Sequence, residues 1–408
     1  MQTSLADFIK QTPQGEEAER ILRACVHCGF CLATCPTYQL LGDERDSPRG
    51  RIYLMKQVLE GAPATPAIQT HLDRCLTCRA CETTCPSGVE YGKLLDIGRA
   101  VVEQQAVRPL PQRGQRWLLR QVLPRRHLFA ALLGLGQRLR PLLPASLQKK
   151  LPPAMVGEAA AWPATPVGSR NMLLLEGCVQ PSLAPTINPA TARLFADLGI
   201  ALVRPAEAGC CGAVAQHNGG NVAAANAARR NIDAWWPHIE AGAAAIVINA
   251  SGCGVQVKEY GHLLRHDPAY AGKAQRVAEL AKDPIEILEA EAARLEPAPT
   301  APRRIAFQSP CTLQHGQKLP GRVEALLARL GFTLTPVADP HLCCGSAGTY
   351  SLLQPELSRQ LQARKIAALE AGVPELIASA NIGCLSHLAE VAGVPVRHWI
   401  ELIQVRGE

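Results

Sequence analysis

Aromatic residues are scarce in this chain: Phe, Trp and Tyr make up 4% of its 408 residues, although 47% of the residues are hydrophobic. The interior must therefore be built mainly from Leu, Ala and Val. With 19% charged residues and a mean hydropathy of +0.02, the composition is typical of a globular protein and excludes a disordered or fibrous chain. A length of 408 residues indicates two or three folded units.

Long hydrophobic runs are also missing. The first twenty residues contain no apolar run of the kind that a signal peptide needs. Arginines and prolines interrupt the Leu-rich stretch near residues 117–143, so no segment reaches the roughly 18 uninterrupted apolar residues of a membrane-spanning helix. We therefore expect the chain to stay in the cytoplasm. Disulfides are disfavoured in that reducing compartment, so metal binding is the leading explanation for the sixteen cysteines.

Acidic residues are absent between Gln104 and Gly157, a segment that carries eight Arg and two Lys. One interpretation is a solvated, proline-broken connector. Another is a surface that docks to an acidic partner or to an anionic membrane. Nucleic acid is disfavoured as a partner because few aromatic residues are interleaved with the basic ones.

Nucleotide-binding fingerprints are absent as well: the chain has neither G-x-G-x-x-G nor G-x-x-x-x-G-K-[ST]. A two-electron substrate oxidation needs a flavin or nicotinamide to accept the hydride. We therefore expect any such site, and its flavin, to lie on a partner subunit, and we assign no catalytic residue to this chain.

The spacing C-x-x-C-x-x-C-x-x-x-C-P occurs twice, at Cys25, Cys28, Cys31 and Cys35 and again at Cys75, Cys78, Cys81 and Cys85. Three thiolates at this spacing can bind three irons of one cube, and in two-cluster ferredoxins the fourth cysteine binds the other cluster. The spacing therefore predicts two 4Fe-4S clusters, one on Cys25, Cys28, Cys31 and Cys85 and the other on Cys75, Cys78, Cys81 and Cys35. A pair of zinc sites is the alternative, but zinc normally takes two cysteines from each of two knuckles. We expect His27, a spacer in the first run, to be a hydrogen-bonding neighbour.

From about Asn171 the sequence repeats one unit twice. In each copy a strand-like run leads to a cysteine, a Cys-Cys-Gly follows 32 residues later, and a third strand-like run leads to another cysteine. The cysteines are Cys178, Cys210, Cys211 and Cys253 in the first copy and Cys311, Cys343, Cys344 and Cys384 in the second. They are candidates for a further cluster or for redox thiols, because two adjacent cysteines are not expected to turn inward together as ordinary core residues. Buried apolar cysteines are the alternative, and we do not expect His217 or His315 to be ligands.

These patterns predict an α+β chain of four parts. A helical, ferredoxin-like domain with two clusters is expected over residues 1–100, and a basic Pro- and Leu-rich connector over 101–168. Two α/β units of the cysteine-rich, CCG type are expected over 169–297 and 298–408, because strands alternate with helices there.

The chain resembles the iron-sulfur subunits of bacterial glycolate oxidase, which are similar to those of anaerobic glycerol-3-phosphate dehydrogenase and lactate utilisation and to heterodisulfide reductase. The resemblance covers nearly the whole chain and rests on RACVHCGFCLATCPTYQLLGDERDSPRGRIYLMKQVLEG, CLTCRACETTCPSG, EAGCCGA, SPCTLQHGQK, HLCCGSAGTYSL and RHWIELI. The eight ligands of the family's ferredoxin-type runs match the eight cysteines above one for one. In fuller cysteine-rich domains, as in heterodisulfide reductase, each unit ends in C-x-x-C, whereas Ala250 and Asn381 stand at the earlier position here. This departure argues against a noncubane double-cube site and leaves a four-thiolate cluster possible.

The resemblance implies a complex in which FAD-containing subunits oxidise glycolate, and often D-lactate, to the 2-oxo acid. This chain would pass the electrons toward a membrane quinone, as a peripheral protein on the cytoplasmic face of the inner membrane. Two alternatives stay open: a self-sufficient iron-sulfur thiol-disulfide reductase of the heterodisulfide reductase type, and the electron-transfer subunit of a lactate or glycerol-3-phosphate dehydrogenase.

Overall fold

A computed structural model describes residues 1–142, 161–164 and 169–407 of the chain. These residues form a helical N-terminal domain, a pair of helices that we call the hairpin, and two α/β halves. The last part of the acid-free segment, residues 143–157, lies outside the described residues.

The N-terminal domain is built from helices that pack around a core of Leu and Met. Its helices are α1 (Asp7–Lys10), α2 (Pro13–Ala24), α3 (Phe30–Ala33), α4 (Pro36–Leu41), α5 (Pro48–Leu59), α6 (Pro66–Asp73), α7 (Ala80–Thr83) and α8 (Tyr91–Gln105), with a 3-10 turn at Glu44–Asp46. Three of them start in the same way, since Thr12, Ser47 and Thr65 each cap a helix whose first residue is proline. The fully buried Met55 and Leu94 place α5 against α8 in the core.

The hairpin consists of α9 (Leu110–Val122) and α10 (Arg126–Leu139), followed by a 3-10 turn at Arg140–Leu142. Helices form where we considered a proline-broken connector, because Pro111 falls in the first turn of α9 and Pro124 falls between the helices. The hairpin exposes large apolar side chains: Leu110, Trp117, Leu118, Leu128, Leu132, Leu135, Leu139 and Leu142. No helix in the described part of the chain is both long enough and apolar enough to cross a bilayer.

The first α/β half has a parallel sheet with the strand order β2-β1-β3-β4. Its strands are β1 (Arg170–Leu174), β2 (Ile200–Val203), β3 (Ile246–Val247) and β4 (Ala281–Lys282). Its helices are α11 (Gln180–Leu183), α12 (Ile187–Asp197), α13 (Ala213–His217), α14 (Asn221–Glu240), α15 (Ser251–Lys258), α16 (Tyr260–Leu263), α17 (Ala271–Leu280) and α18 (Ile285–Leu288), with a 3-10 turn at Ala292–Arg294.

The second half repeats this arrangement in a parallel sheet of order β7-β6-β8-β9. Its strands are β6 (Arg304–Gln308), β7 (Thr333–Leu334), β8 (Leu376–Ser379) and β9 (Val396–His398), and an antiparallel pair joins β5 (Leu295–Pro297) to β10 (Ile403–Val405). Its helices are a π-helical turn at Thr312–Gly316, α19 (Arg322–Arg329), α20 (Tyr350–Leu353), α21 (Pro355–Glu370), α22 (Ile382–Ala389) and a 3-10 turn at Trp399–Leu402. The predicted α+β class, with a helical domain before a duplicated α/β unit, is confirmed.

The two halves share one hydrophobic core, in which Phe195 and Val247 of the first half belong to the same buried cluster as Ile305 and Trp399 of the second. Parallel strands that neighbour one another end at the same edge of a sheet. The loops that follow β1, β2 and β3 in the first half, and β6, β7 and β8 in the second, therefore lie at one edge of each sheet, and these loops carry the cysteines.

Candidate metal centres

The N-terminal domain contains two cavities lined by cysteines. The first cavity is lined by Cys25, Cys28, Cys31 and Cys85. The chain leaves this cavity at Pro36, which starts α4, and so carries the last cysteine of the first run away from the other three. The first three cysteines of one run thus meet the fourth cysteine of the other.

The second cavity is lined by Cys35, Cys75, Cys78 and Cys81. It has the reciprocal composition, with three cysteines from the second run and one from the first. Cys81 and Tyr91 also line the first cavity, so the two cavities are direct neighbours. The structure therefore brings together the two exchanged sets that the spacing predicted.

Each run wraps its cavity with two residues in the left-handed backbone region. These are His27 (φ 57°) and Gly29 (φ 88°) in the first run and Thr77 (φ 53°) and Arg79 (φ 61°) in the second. Three of the four are not glycine, and a non-glycine residue rarely adopts this conformation without a constraint from its surroundings. The strained positions fall at equivalent places, two and four residues after the first cysteine of each run.

A buried ion network borders the second cavity. Asp46 and Arg51 are 0% and 1% exposed, with Arg51 Nη2 3.2 Å from Asp46 Oδ1. Arg74 Nη1 and His71 Nδ1 also reach this carboxylate, at 2.9 and 3.0 Å. Since two guanidinium groups already occupy Asp46, the cluster of Asp46, His71 and Asp43 is not suited to a cation.

Two donors from this region point toward the cysteine sulfurs. Arg51 Nη1 lies 4.0 Å from Cys35 Sγ, and Tyr91 Oη donates to Cys75 Sγ at 3.6 Å. Burial, followed by the nearby Cys75 sulfur, raises the pKa of Tyr91 well above its ordinary value, so this phenol keeps its proton. Both groups favour negative charge on the sulfurs. Neither was found from the sequence, because only the folded chain brings them to the cavity.

The donor set fits a multi-iron group better than a single zinc ion. Tetrahedral zinc at about 2.3 Å from each sulfur would hold thiolates roughly 3.8 Å apart. Among the described residues, the ligand atoms of Asp43, Asp46 and His71 form the one set of three that all lie within 4.8 Å of each other. The cysteine sulfurs around each cavity are therefore more widely spread, as a cube with an iron at each ligand requires.

In the first α/β half the four cysteines come together as a set that we call quartet 1: Cys178, Cys210, Cys211 and Cys253. The thiols of Cys178 and Cys211 donate hydrogen bonds to Cys210, and these bonds lower the pKa of Cys210 well below its ordinary value. Cys253 is in turn hydrogen-bonded to Cys211. The four sulfurs thus form a continuous chain of contacts.

The second half holds the corresponding quartet 2: Cys311, Cys343, Cys344 and Cys384. Cys311 Sγ lies 3.8 Å from Cys343 Sγ, and Cys344 Sγ lies 3.3 Å from Cys384 Sγ. Cys343 and Cys344 are also hydrogen-bonded to each other. The duplicated sequence therefore produces two equivalent four-thiol sites.

Both members of each Cys-Cys pair are buried. The glycine after each pair makes this possible, since Gly212 and Gly345 have φ values of 96° and 92°. A Cβ at Gly345 would lie 2.6 Å from the Ser358 carbonyl oxygen. The backbone can reverse at these points only because glycine tolerates the left-handed region and the close contact.

The three histidines that the sequence analysis considered differ in their surroundings. His27 stacks edge-on against Tyr53, with ring centroids 6.5 Å apart. His315 Nδ1 is 2.9 Å from Thr83 Oγ1 and its Nε2 is 3.0 Å from the His341 carbonyl oxygen. His217 is enclosed, and burial lowers its pKa to about 4.

Quartet 2 lies directly beside the second cavity. Cys78 packs in one apolar cluster with Cys311, Cys343 and Tyr350. Tyr350 Oη donates to the Arg74 carbonyl oxygen at 3.1 Å, which fixes the second half to the N-terminal domain at this point. Three of the four cysteine sets therefore lie in series.

Comparisons with known proteins agree with this division of the chain. Residues 21–89 match the family of 4Fe-4S dicluster domains, and residues 172–258 and 305–389 each match the family of cysteine-rich domains. The chain is 57% identical over 405 residues to the glycolate oxidase iron-sulfur subunit of Escherichia coli (strain K12), covering 99% of this chain and 98% of that protein. It is 31% identical to the "probable glycolate oxidase iron-sulfur subunit" of Bacillus subtilis (strain 168), covering 93% of this chain and 90% of the relative.

A shorter relative, lactate utilization protein A of Bacillus licheniformis, is 29% identical over 243 residues, which cover 56% of this chain and 97% of that protein. The first two relatives are matched over nearly the whole of both chains. The chain belongs to the family of glycolate oxidase iron-sulfur subunits.

Proposed function

We propose that this chain carries single electrons inside a glycolate oxidase complex. FAD-containing partner subunits oxidise glycolate or D-lactate to glyoxylate or pyruvate, and the electrons pass through this chain toward a membrane quinone. The observation that carries the proposal is the series of cysteine sets: Cys81 lines both cavities, and Cys78 packs against Cys311 and Cys343 of quartet 2.

The eight ferredoxin-type cysteines are the proposed ligands of two 4Fe-4S clusters. One set is Cys25, Cys28, Cys31 and Cys85, and the other is Cys35, Cys75, Cys78 and Cys81. Iron-sulfur cubes supply reversible one-electron exchange when bound. Arg51 and Tyr91 hold positive charge and a hydrogen-bond donor against the sulfurs of the second set, which favours the reduced state there.

Quartets 1 and 2 are the proposed ligands of further iron-sulfur groups. Seven of their eight cysteines are buried and Cys253 is half-buried, which supports electron carriage over thiol-disulfide exchange with an external substrate; Cys344 and Cys384 are only 1% and 4% exposed. A disulfide substrate would need direct access to a nucleophilic sulfur. We therefore do not favour the heterodisulfide reductase alternative.

The hairpin is the proposed surface through which this chain contacts a partner subunit or the membrane. Its exposed leucines and Trp117 lie on the acid-free, arginine-rich segment. Such a surface suits either a partner subunit or the anionic cytoplasmic face of the membrane that carries the quinone.

Anaerobic mixing with glycolate tests the proposed function. The purified chain alone should keep its cluster absorbance, and adding the flavoprotein subunits should bleach it. The matched control is the Cys78→Ser variant with the same subunits, in which reduction should stop at the first cavity. Bleaching by glycolate without a flavoprotein would place the oxidation site on this chain and overturn the proposal.

A further inference from the structure

The side-chain amide of Asn381 lies between quartets 1 and 2. Its Nδ2 donates to Cys384 Sγ at 3.5 Å, and its Oδ1 accepts a hydrogen bond from the Gly252 backbone N–H at 3.3 Å. Gly252 directly precedes Cys253 of quartet 1. One planar amide therefore contacts a thiol of one quartet and the backbone that carries a thiol of the other.

Two glycines leave the space that this amide occupies. A Cβ at Gly252 would lie 3.3 Å from Asn381 Oδ1, and a Cβ at Gly383 would lie 3.4 Å from its Nδ2. Beside the amide, the Ser251 backbone N–H donates to the Ala380 carbonyl oxygen at 3.1 Å. The first turns of α15 and α22 are thus joined at the point where each carries its quartet's last cysteine.

The link is present on one side of the duplication only. Asn381 stands three residues before Cys384, and Ala250 occupies the equivalent place three residues before Cys253. The methyl group of Ala250 can neither donate nor accept a hydrogen bond. Quartet 2 therefore receives a side-chain donor for which quartet 1 has no counterpart at that position.

Building on the proposed occupancy of the quartets, we propose that Asn381 is a positioning residue that couples them into one electron-transfer unit. Its Nδ2–H stabilises the extra negative charge when the group on Cys384 is reduced, because a hydrogen bond to a ligand sulfur favours the reduced state. Its Oδ1 accepts the hydrogen bond from the Gly252 N–H and so holds the Gly252–Cys253 segment in place. With iron-sulfur groups bound in both quartets, one electron lost by the group in quartet 2 would be gained by the group in quartet 1, without any bond being broken.

The experiment uses the full chain, loaded anaerobically with iron and sulfide, and follows a redox titration by EPR. The variants are Asn381→Ala and the isosteric Asn381→Asp, and Cys384→Ser and Cys253→Ser assign the signals to the two quartets. Ser346→Ala is the matched control. It removes a hydrogen bond from Ser346 Oγ to the Gly383 carbonyl oxygen at 2.8 Å, next to the same site, without touching a sulfur or the other half.

Asn381→Ala should keep the native iron content and shift the reduction equilibrium of quartet 2 about tenfold toward the oxidised form, which is about 59 mV for one electron. It should also weaken the magnetic interaction between the two reduced quartets, and Asn381→Asp should shift quartet 2 further in the same direction. Ser346→Ala should change neither the potential of quartet 2 nor the magnetic interaction between the quartets.

Equal potentials and unchanged magnetic interaction in Asn381→Ala and Ser346→Ala would overturn the inference. If Asn381→Ala loses iron, Asn381→Asp decides the question by the same measurements. A native iron content of only about eight per chain, as two cubes provide, would overturn the inference together with the occupancy of the quartets. That result would leave the proposed dicluster and its reduction through a flavoprotein intact.

Discussion

Replacing the buried Arg51 by methionine should lower the reduction potential of the group held in the second cavity. Arg51 Nη1 lies 4.0 Å from Cys35 Sγ, and its side chain is 1% exposed, so water screens its charge poorly. A cation beside a ligand sulfur stabilises the reduced state, which carries one more negative charge. Methionine fills a similar volume and removes the charge.

The magnitude follows from Coulomb's law. A unit charge on the Cys35 sulfur at this distance would interact with Arg51 by about 4 kcal/mol at an effective dielectric constant of 20. The added electron spreads over the whole cube, and the Asp46 carboxylate, 3.2 Å from Arg51, offsets part of the field. We therefore expect about half of that energy, or roughly 2 kcal/mol, which corresponds to a fall of about 90 mV.

A potentiometric titration followed by EPR measures the shift. Arg45→Met is the matched control, because Arg45 pairs with Asp43 on the same segment but its side chain is 61% exposed. Arg51→Lys keeps the charge and should stay close to the native potential. Equal potentials in Arg51→Met and the native chain, with the iron content preserved, would show that the charge of Arg51 does not act on this site.

Three further predictions concern the ligand exchange, the pH dependence and the hairpin. Cys85→Ser should damage the cluster of the first cavity and Cys35→Ser that of the second, as judged by EPR, whereas damage confined to each residue's own run would contradict the exchange. Burial lowers the pKa of His398 to about 4, against the opposing effects of Glu401 and of the Asn249 carbonyl oxygen that the ring contacts, and the neutral ring accepts a hydrogen bond from the Ile400 N–H. In the unfolded chain this histidine is protonated below its ordinary pKa, whereas in the folded chain it stays neutral, so the free energy of unfolding should fall by about 3 kcal/mol between pH 6.5 and 4. If the free energy of unfolding of the native chain and of His398→Gln changed equally with pH in denaturation experiments, this prediction would be wrong. Changing the exposed Arg113, Arg125 and Arg138 of the hairpin to Gln should weaken binding to partner subunits or anionic vesicles by roughly 1 kcal/mol per arginine at low salt. If neither added salt nor these substitutions changed the binding affinity, the hairpin would not be a charged docking surface.

The spacing of the cysteines was sufficient to predict which of them the fold brings together. The three-residue spacing and the proline leave the fourth thiol of each run directed away from its own loop, so the exchange follows from local geometry. The same holds for quartets 1 and 2, because parallel strands of one sheet carry their following loops to one edge. Cysteine sets that are fixed by local spacing and by strand order can therefore be predicted without a structure.

The groups that tune the sites could not be predicted in this way. Arg51 and Tyr91 reach the cysteine sulfurs across separate helices, and nothing in their local sequence distinguishes them from other buried residues. The left-handed His27 and Thr77 were also missed, since their conformation is imposed by the loop and not by residue type. The hairpin was missed as a helical element because prolines at helix starts and between helices resemble prolines that break structure.

The duplication of the α/β halves makes the contact with the N-terminal domain decisive for the direction of the electron flow that we propose. Both halves are fixed to that domain, the first by Gln216, which donates to Asp96 at 2.6 Å, and the second by Tyr350 at the Arg74 carbonyl. Among the residues that the structure describes, it is the contact with the second half that brings two cysteine sets together, at Cys78, Cys311 and Cys343. Under the proposed function, an electron that arrives in the second cavity would have quartet 2 as its neighbour, and quartet 1 would be reached through the junction between the halves. Quartets 1 and 2, although equivalent in the repeat, thus lie at different distances along the chain of cysteine sets that starts at the second cavity.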